Sequence, residues 1–173
     1  MHRPASTEYA PEYGKYLALV PEDDVLPALE AQLADTLALL RTVPENQGNV
    51  RHPPYTWSIK EVVGHLTDSE RVFGYRALRF ARGDATPLAG FDENVYVRAA
   101  EFDRVPLQEL VNQFEAVRRA NLYFFRTLDE AAWSRGGKAN DTPVTVRALA
   151  YIIVGHGRHH TAILRQRLSR AGA

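Results

Sequence analysis

Three histidines stand where a metal ion could be held. His156 and His160 are four residues apart in a stretch with helical periodicity, so at about 100° per residue they share one face, a turn apart. That face also carries Leu149, Ile153, Ile163 and Leu164. Two imidazoles in an apolar stripe need partners, because burying an unpaired polar group is costly. Hydrogen bonds to neighbouring side chains would serve, as for an ordinary core histidine. A metal would satisfy both rings at once, and a pair on one core face favours that choice. The third ligand should come from another helix, and His65 is the candidate. It lies about 10 Å along its helix from Ser58, a depth that His160 or His156 matches whichever way the helices run. Three neutral imidazoles leave coordination positions open for water or substrate, as in catalytic sites. Such ligands suit zinc, nickel, iron or copper and argue against calcium or magnesium. A zinc-protease helix is excluded, since it needs Glu directly after its first histidine and this chain has Gly157 there.

Several other residues could serve such a site. His159 falls at the edge of the same face, as a substrate-binding group or a solvated one. Asp68 and Glu61 flank His65 by three and four residues, so either could orient its second ring nitrogen or act as a catalytic base. Both also read as helix-surface acids, and a capping role suffices for Glu61. Asp92 is a candidate for a pocket rim. Glu70 projects into an apolar stripe, as Arg118 and Asn121 do on another helix; buried charges are rare unless paired, so a structural ion pair between Glu70 and Arg118 is expected.

Four helices must position these residues, and no segment alternates convincingly as a strand. The first runs from about Asp24 to Thr42 on a stripe of Leu26, Leu29, Leu33, Leu37 and Leu40, ended by Pro44 and Gly48. The second opens at Trp57, with Ser58 and Glu61 forming a capping box, and reaches about Ala81. The third starts near Pro106 and carries Leu107, Leu110, Val111, Phe114, Val117, Phe125 and Leu128. The fourth spans about Thr145 to Ser169, after the breaker-rich stretch Gly136–Pro143. The connection between the second and third helices, roughly 20 residues, is long for a bundle and either crosses it or folds over a pocket as a partial lid. The expected fold is all-α, a four-helix bundle in one domain of residues 1–173, with residues 1–20 as an irregular N-terminal arm.

The composition sets outer bounds. Lys and Arg total 21 and balance 21 Asp and Glu, so no broad basic field invites nucleic acid or an anionic membrane. The chain has no cysteine, which removes thiolate catalysis and means any thiol must come from a substrate. The start lacks a secretory h-region, and the longest apolar run, Ala148–Val154, is too short to span a bilayer; a cytoplasmic location is expected.

The run Trp57-Ser58-Ile59-Lys60-Glu61-Val62-Val63-Gly64-His65-Leu66-Thr67-Asp68-Ser69-Glu70-Arg71 resembles the central segment of the DinB/YfiT-like superfamily. Tyr75–Arg79, Arg82-Gly83-Asp84, Pro87–Asp92, Val117-Arg118 and the closing Gly155–His160 extend the resemblance over nearly the whole chain. It implies a four-helix bundle with one divalent metal, nickel or zinc, on three histidines that map onto His65, His156 and His160, and often a homodimer. Members are called metal-dependent hydrolases; some relatives are thiol transferases acting with bacillithiol, mycothiol or glutathione, or thiol-dependent isomerases. A low-molecular-weight thiol is therefore an expected co-substrate. The sequence departs from the pattern at Gly157, where close members are expected to carry Glu. Two functions follow: a metal-dependent enzyme acting on a small molecule, thiol S-transferase-like or hydrolase-like, or a non-catalytic metal- or ligand-binding stress-response protein.

Overall fold

The computed structural model describes residues 2–171; Met1, Gly172 and Ala173 of the expected domain lie outside the described residues. Each long helix begins where a side chain can accept from an exposed amide. Asp24 caps α2 (Val25–Leu40), which follows a helical turn, α1 (Gly14–Leu17), and precedes another, α3 (Glu45–Gly48). At α4 (Ile59–Ala81) the capping box is complete: Ser58 Oγ accepts from Glu61 N at 3.1 Å, and Glu61 Oε2 accepts from Ser58 N at 2.6 Å. Asp92 caps α5 (Glu93–Ala100), Glu45 Oε2 accepts from Leu107 N at 2.8 Å at the start of α6 (Leu107–Arg126), which Pro106 precedes, and Asp129 caps α7 (Glu130–Ser134). Thr145 Oγ1 accepts from Ala148 N at 3.1 Å near the start of α8 (Val146–Ala171).

The four long helices α2, α4, α6 and α8 form the bundle, with α2 and α4 each packed between α6 and α8. Polar contacts fix their directions. Tyr151 Oη donates to Asp23 O at 2.7 Å, and Thr36 Oγ1 meets Thr161 Oγ1 at 2.8 Å further along, so α2 and α8 run parallel. Glu30 pairs with Arg126 while Arg41 pairs with Glu115, so α2 and α6 are antiparallel. Ser58 donates to Asp103 just before α6, Glu70 meets Arg118, and Arg82 lies over Phe124; α4 and α6 are therefore parallel. Arg167 donates to Trp57 O while His65 faces His156, so α4 and α8 are antiparallel.

Two successive parallel helices require the chain to travel back along the bundle, which is why the link from Ala81 to Leu107 is long. It is a crossover, and its segment around Gly90 and Phe91 also walls the cavity described below. No strand was expected, yet Gly136–Ala139 (β1) and Thr142–Thr145 (β2) form an antiparallel hairpin in the register Gly136↔Thr145. Its two-residue turn, Asn140 and Asp141, has φ values of 53° and 59°, the left-handed pair that matches strand twist. Two glycines and a proline hide the strand pattern. Tertiary packing supplies what propensity lacks: Val144 and Ala139 are buried, and Leu88 of the crossover adds a bridge to Ala139. Residues 2–20 contain no long element, but they are anchored rather than loose. Leu17 and Val20 are buried, and α1 packs directly on α8.

A buried polar chain ties the bundle together. Arg118 donates through Nε and Nη2 to Glu70 Oε1 and Oε2 at 2.8 and 2.9 Å, and through Nη1 to Leu29 O and Gln32 Oε1. Asn121 Nδ2 donates to Glu70 Oε1, while Gln32 Nε2 donates to Thr36, which meets Thr161. All four long helices contribute. Among the described residues no helix is long and apolar enough to cross a membrane.

Candidate metal centre

His65 lies near the start of α4 and His156 and His160 near the middle of α8; the antiparallel packing brings the three rings to one level. His65 Nε2 is 3.0 Å from His156 Nε2, and His160 Nε2 is 3.1 Å from it. One ligand atom from each ring lies within 4.8 Å of the other two. A tetrahedral ion with bonds of about 2.0–2.1 Å holds its nitrogens roughly 3.3 Å apart, so the donor set suits such an ion. Hydrogen bonds alone serve it poorly. Each ring nitrogen has one lone pair or one proton, and His156 Nε2 faces two partners at once.

The rings are also in the right protonation state. Burial pushes His65 down to about 4 and, with help from the neighbouring imidazoles, His160 down to about 3. His156, enclosed by protein, lies well below its ordinary value, again through burial first and the adjacent rings second. Lone pairs are therefore free at neutral pH.

Next to the triad lies a cavity of about 340 Å³. Along α4, His65, Ser69, Phe73 and Arg76 line it at the i, i+4, i+8, i+11 spacing of one helix face. Trp57 packs on His65 with ring centres 4.8 Å apart, and Phe73 meets His156 edge-on at 6.2 Å. Tyr13 and Tyr16 come from the N-terminal segment; Tyr16 is edge-on to both His156 and His159, at 5.3 and 5.6 Å. Phe91 and Gly90 of the crossover and Asn140 of the hairpin turn complete the wall, and Glu12, Lys15 and Glu93 stand on it as well.

The structure brings His65, His156 and His160 together and places His159, half-buried, on the cavity wall beside His160. Burial, and secondarily Lys15, lowers His159 below its ordinary value. It does not bring Asp68 or Asp92 into the cavity. Asp68 accepts from Arg71 at 3.0 Å, the pair lying three residues apart along the partly exposed flank of α4. Asp92 is spent on the amides of Asn94 and Val95 at the start of α5, although its neighbours Phe91 and Glu93 line the cavity. Glu61 serves the capping box and pairs with Arg51. Glu70 and Arg118 meet in the bundle interior, away from the cavity wall.

Gly157 also faces away from the cavity. A Cβ there would meet Gln32 Cδ at 2.7 Å, so the position points at α2, and a carboxylate side chain would collide with the buried polar chain. Gly155 has a different neighbour: its Cβ would lie 2.5 Å from Tyr16 C, and only the missing side chain lets α1 sit down on α8. The aromatic wall had little sequence signal. Phe73 is legible as a stripe residue and Trp57 as a helix opening, but Tyr13 and Tyr16 lie in the segment expected to be an arm. Arg76 carries no such signal, because one arginine on a helix reads as a surface charge.

The sequence matches the DinB superfamily over residues 28–164, and the chain belongs to that superfamily. YfiT from Bacillus subtilis, described as a probable metal-dependent hydrolase with an unusual four-helix bundle topology, superposes with a TM-score of 0.78 at 18% identity, covering 99% of this chain and 94% of that one. A mycothiol-dependent maleylpyruvate isomerase superposes with a TM-score of 0.72 at 14% identity over 86% of this chain and 62% of its own, and a point variant of that enzyme gives the same figures. At such identities the likeness establishes the fold. No curated protein matches the sequence directly.

Proposed function

We propose that this protein is a metal-dependent enzyme in which His65, His156 and His160 hold one divalent transition metal, nickel or zinc, and that it transfers a low-molecular-weight thiol to a small electrophile. The convergence of three neutral imidazole nitrogens beside an aromatic-walled cavity carries the reading. When bound, the metal supplies Lewis acidity, lowering the pKa of a coordinated thiol or water.

The rest of the chemistry falls to the chain. Trp57, Phe73 and Tyr16 exclude water from around the triad and strengthen polar interactions there. Asp68 and Asp92 are engaged elsewhere, and His159, its ring centre 5.1 Å from that of His160, is placed beside the triad to accept a proton. The likeness to a thiol-dependent isomerase favours a thiol over water as the nucleophile; held on the metal, either would lose its proton more readily. The sulfur forms a bond to the electrophilic carbon, and the S–H proton passes to a ring nitrogen of His159. The leaving group departs with its electron pair and takes up that proton. With no cysteine in the chain, the thiol is a co-substrate. The two superposed proteins, one called a hydrolase and one thiol-dependent, mark the alternatives that an assay must separate.

The test loads the purified protein with nickel or zinc and screens thiol–electrophile pairs beside simple esters and amides. Metal-dependent turnover of a thiol pair, lost in His160→Ala with circular dichroism intact, is the expected result. Turnover of esters alone would replace transfer by hydrolysis, and metal uptake without turnover of any pair would leave a binding protein.

A further inference from the structure

Among the described residues, Arg76 is a buried cation with no carboxylate paired to it. Only 4% of the residue is exposed; its Nη2 donates to Ala89 O at 2.9 Å, and the guanidinium also reaches the Tyr13 hydroxyl. A guanidinium has five N–H donors in a planar fork, and a buried one is ordinarily matched by a carboxylate. Arg118, equally buried in the same bundle, has Glu70. The spare nitrogens of Arg76 are not sealed in protein, as two on Arg167 are; the side chain lines the cavity.

Its setting is that of a binding group. The guanidinium carbon lies 5.9 Å from the centres of both the Phe73 and the Phe91 rings, so aromatic faces occupy its flanks and leave an edge of the fork free. That edge is the geometry that grips a carboxylate through two parallel hydrogen bonds. A helical side chain leans towards the N-terminus of its helix, and on α4 that is the direction of His65. Phe73 lies between the two groups, its ring 6.2 Å from His156 on one side and 5.9 Å from the guanidinium on the other. A small molecule can therefore reach both. The other charged side chains on the wall are Glu12, Glu93 and Lys15.

We propose that Arg76 binds the carboxylate of the substrate, and that the electrophile reacting beside the three histidines is a small carboxylic acid. This rests on the cavity being the substrate site of the enzyme proposed above, and it deepens that reading by naming the substrate class.

Phenylacetate and phenylacetamide, which differ in charge but hardly in shape, are suitable probes for calorimetric titration of the metal-loaded protein. The wild type should bind the acid about ten-fold or more tightly than the amide. Arg76→Gln should remove that preference while metal content and melting temperature hold, and His160→Ala, lacking the metal, should keep it. A preference that survives Arg76→Gln and disappears in His160→Ala would put the carboxylate on the metal, overturning the role of Arg76 while leaving the metal site standing. Absence of any preference in the wild type overturns it too. Should the wild type take up no metal, the metal reading fails, but the Arg76 comparison can still be made on the same protein. If Arg76→Gln does not fold, the wild-type Arg76 Nε–H resonance decides: it should shift with phenylacetate and stay still with phenylacetamide, and an unmoved resonance refutes the assignment.

Discussion

Arg118→Met removes the centre of the buried polar chain. Arg118 is 1% exposed and Glu70 3%, and the guanidinium supplies both carboxylate oxygens at 2.8 and 2.9 Å. Without it the carboxylate stays buried with Asn121 Nδ2, at 3.0 Å, as its remaining side-chain donor, and Gln32 Oε1 and Leu29 O lose a donor each. Breaking such a pair from one side costs about 3–5 kcal/mol. At about 2–4 °C per kcal/mol for a chain of this size, the melting temperature should fall by roughly 6–20 °C. Glu70→Met should cost a similar amount by stranding the cation. The double variant leaves no buried charge, only polar neighbours at about 1–3 kcal/mol each. It should cost no more than either single change, giving a coupling of about 3 kcal/mol or more. Urea unfolding followed by far-ultraviolet circular dichroism measures all three against wild type. Loss of less than about 1 kcal/mol in Arg118→Met, or single costs that simply add to within about 0.5 kcal/mol, would refute the reasoning.

Free nickel or zinc at about 100 times its dissociation constant should stabilise the wild type by about 2.7 kcal/mol, visible as a thermal shift; an equal shift in His160→Ala would place the ion elsewhere. Gly157→Ala should gain about 1 kcal/mol of helix propensity but displace Gln32 from its bonds to Thr36 and Arg118, for a net loss of about 1–2 kcal/mol. In a Gln32→Ala background the same change should stabilise, and no change of sign between the two backgrounds would dismiss Gln32 as the cause. Gly155→Ala should push the Tyr16 backbone off α8, lowering stability by about 1–3 kcal/mol and raising proteolysis within residues 10–20; an unaltered cleavage rate would mean that α1 is held by other contacts.

The sequence by itself determined the local frame of this protein. The leucine stripe of α2, the Ser58–Glu61 box and the i, i+4 pair His156 and His160 depend on neighbours within a turn, and the structure places each where periodicity and capping put it. Glu70 and Arg118 were legible as partners because a charge in an apolar stripe cannot stay unmatched. Helix direction was not legible, since an apolar stripe looks the same read either way; it took the contacts of Tyr151, Thr36 and Arg167 to orient the helices. The hairpin was hidden for a related reason: Gly136, Gly137 and Pro143 have little strand propensity, and packing of Val144 and Leu88 sets their conformation. The same holds for the cavity. His65 could be paired with α8 on paper, but the exclusion of Asp68 and Asp92, the seating of Tyr16 over Gly155 and the isolation of Arg76 between two rings depend on which surfaces meet. Spacing along a chain specifies which side chains share a face. Only the packing of distant segments decides what that face is turned towards.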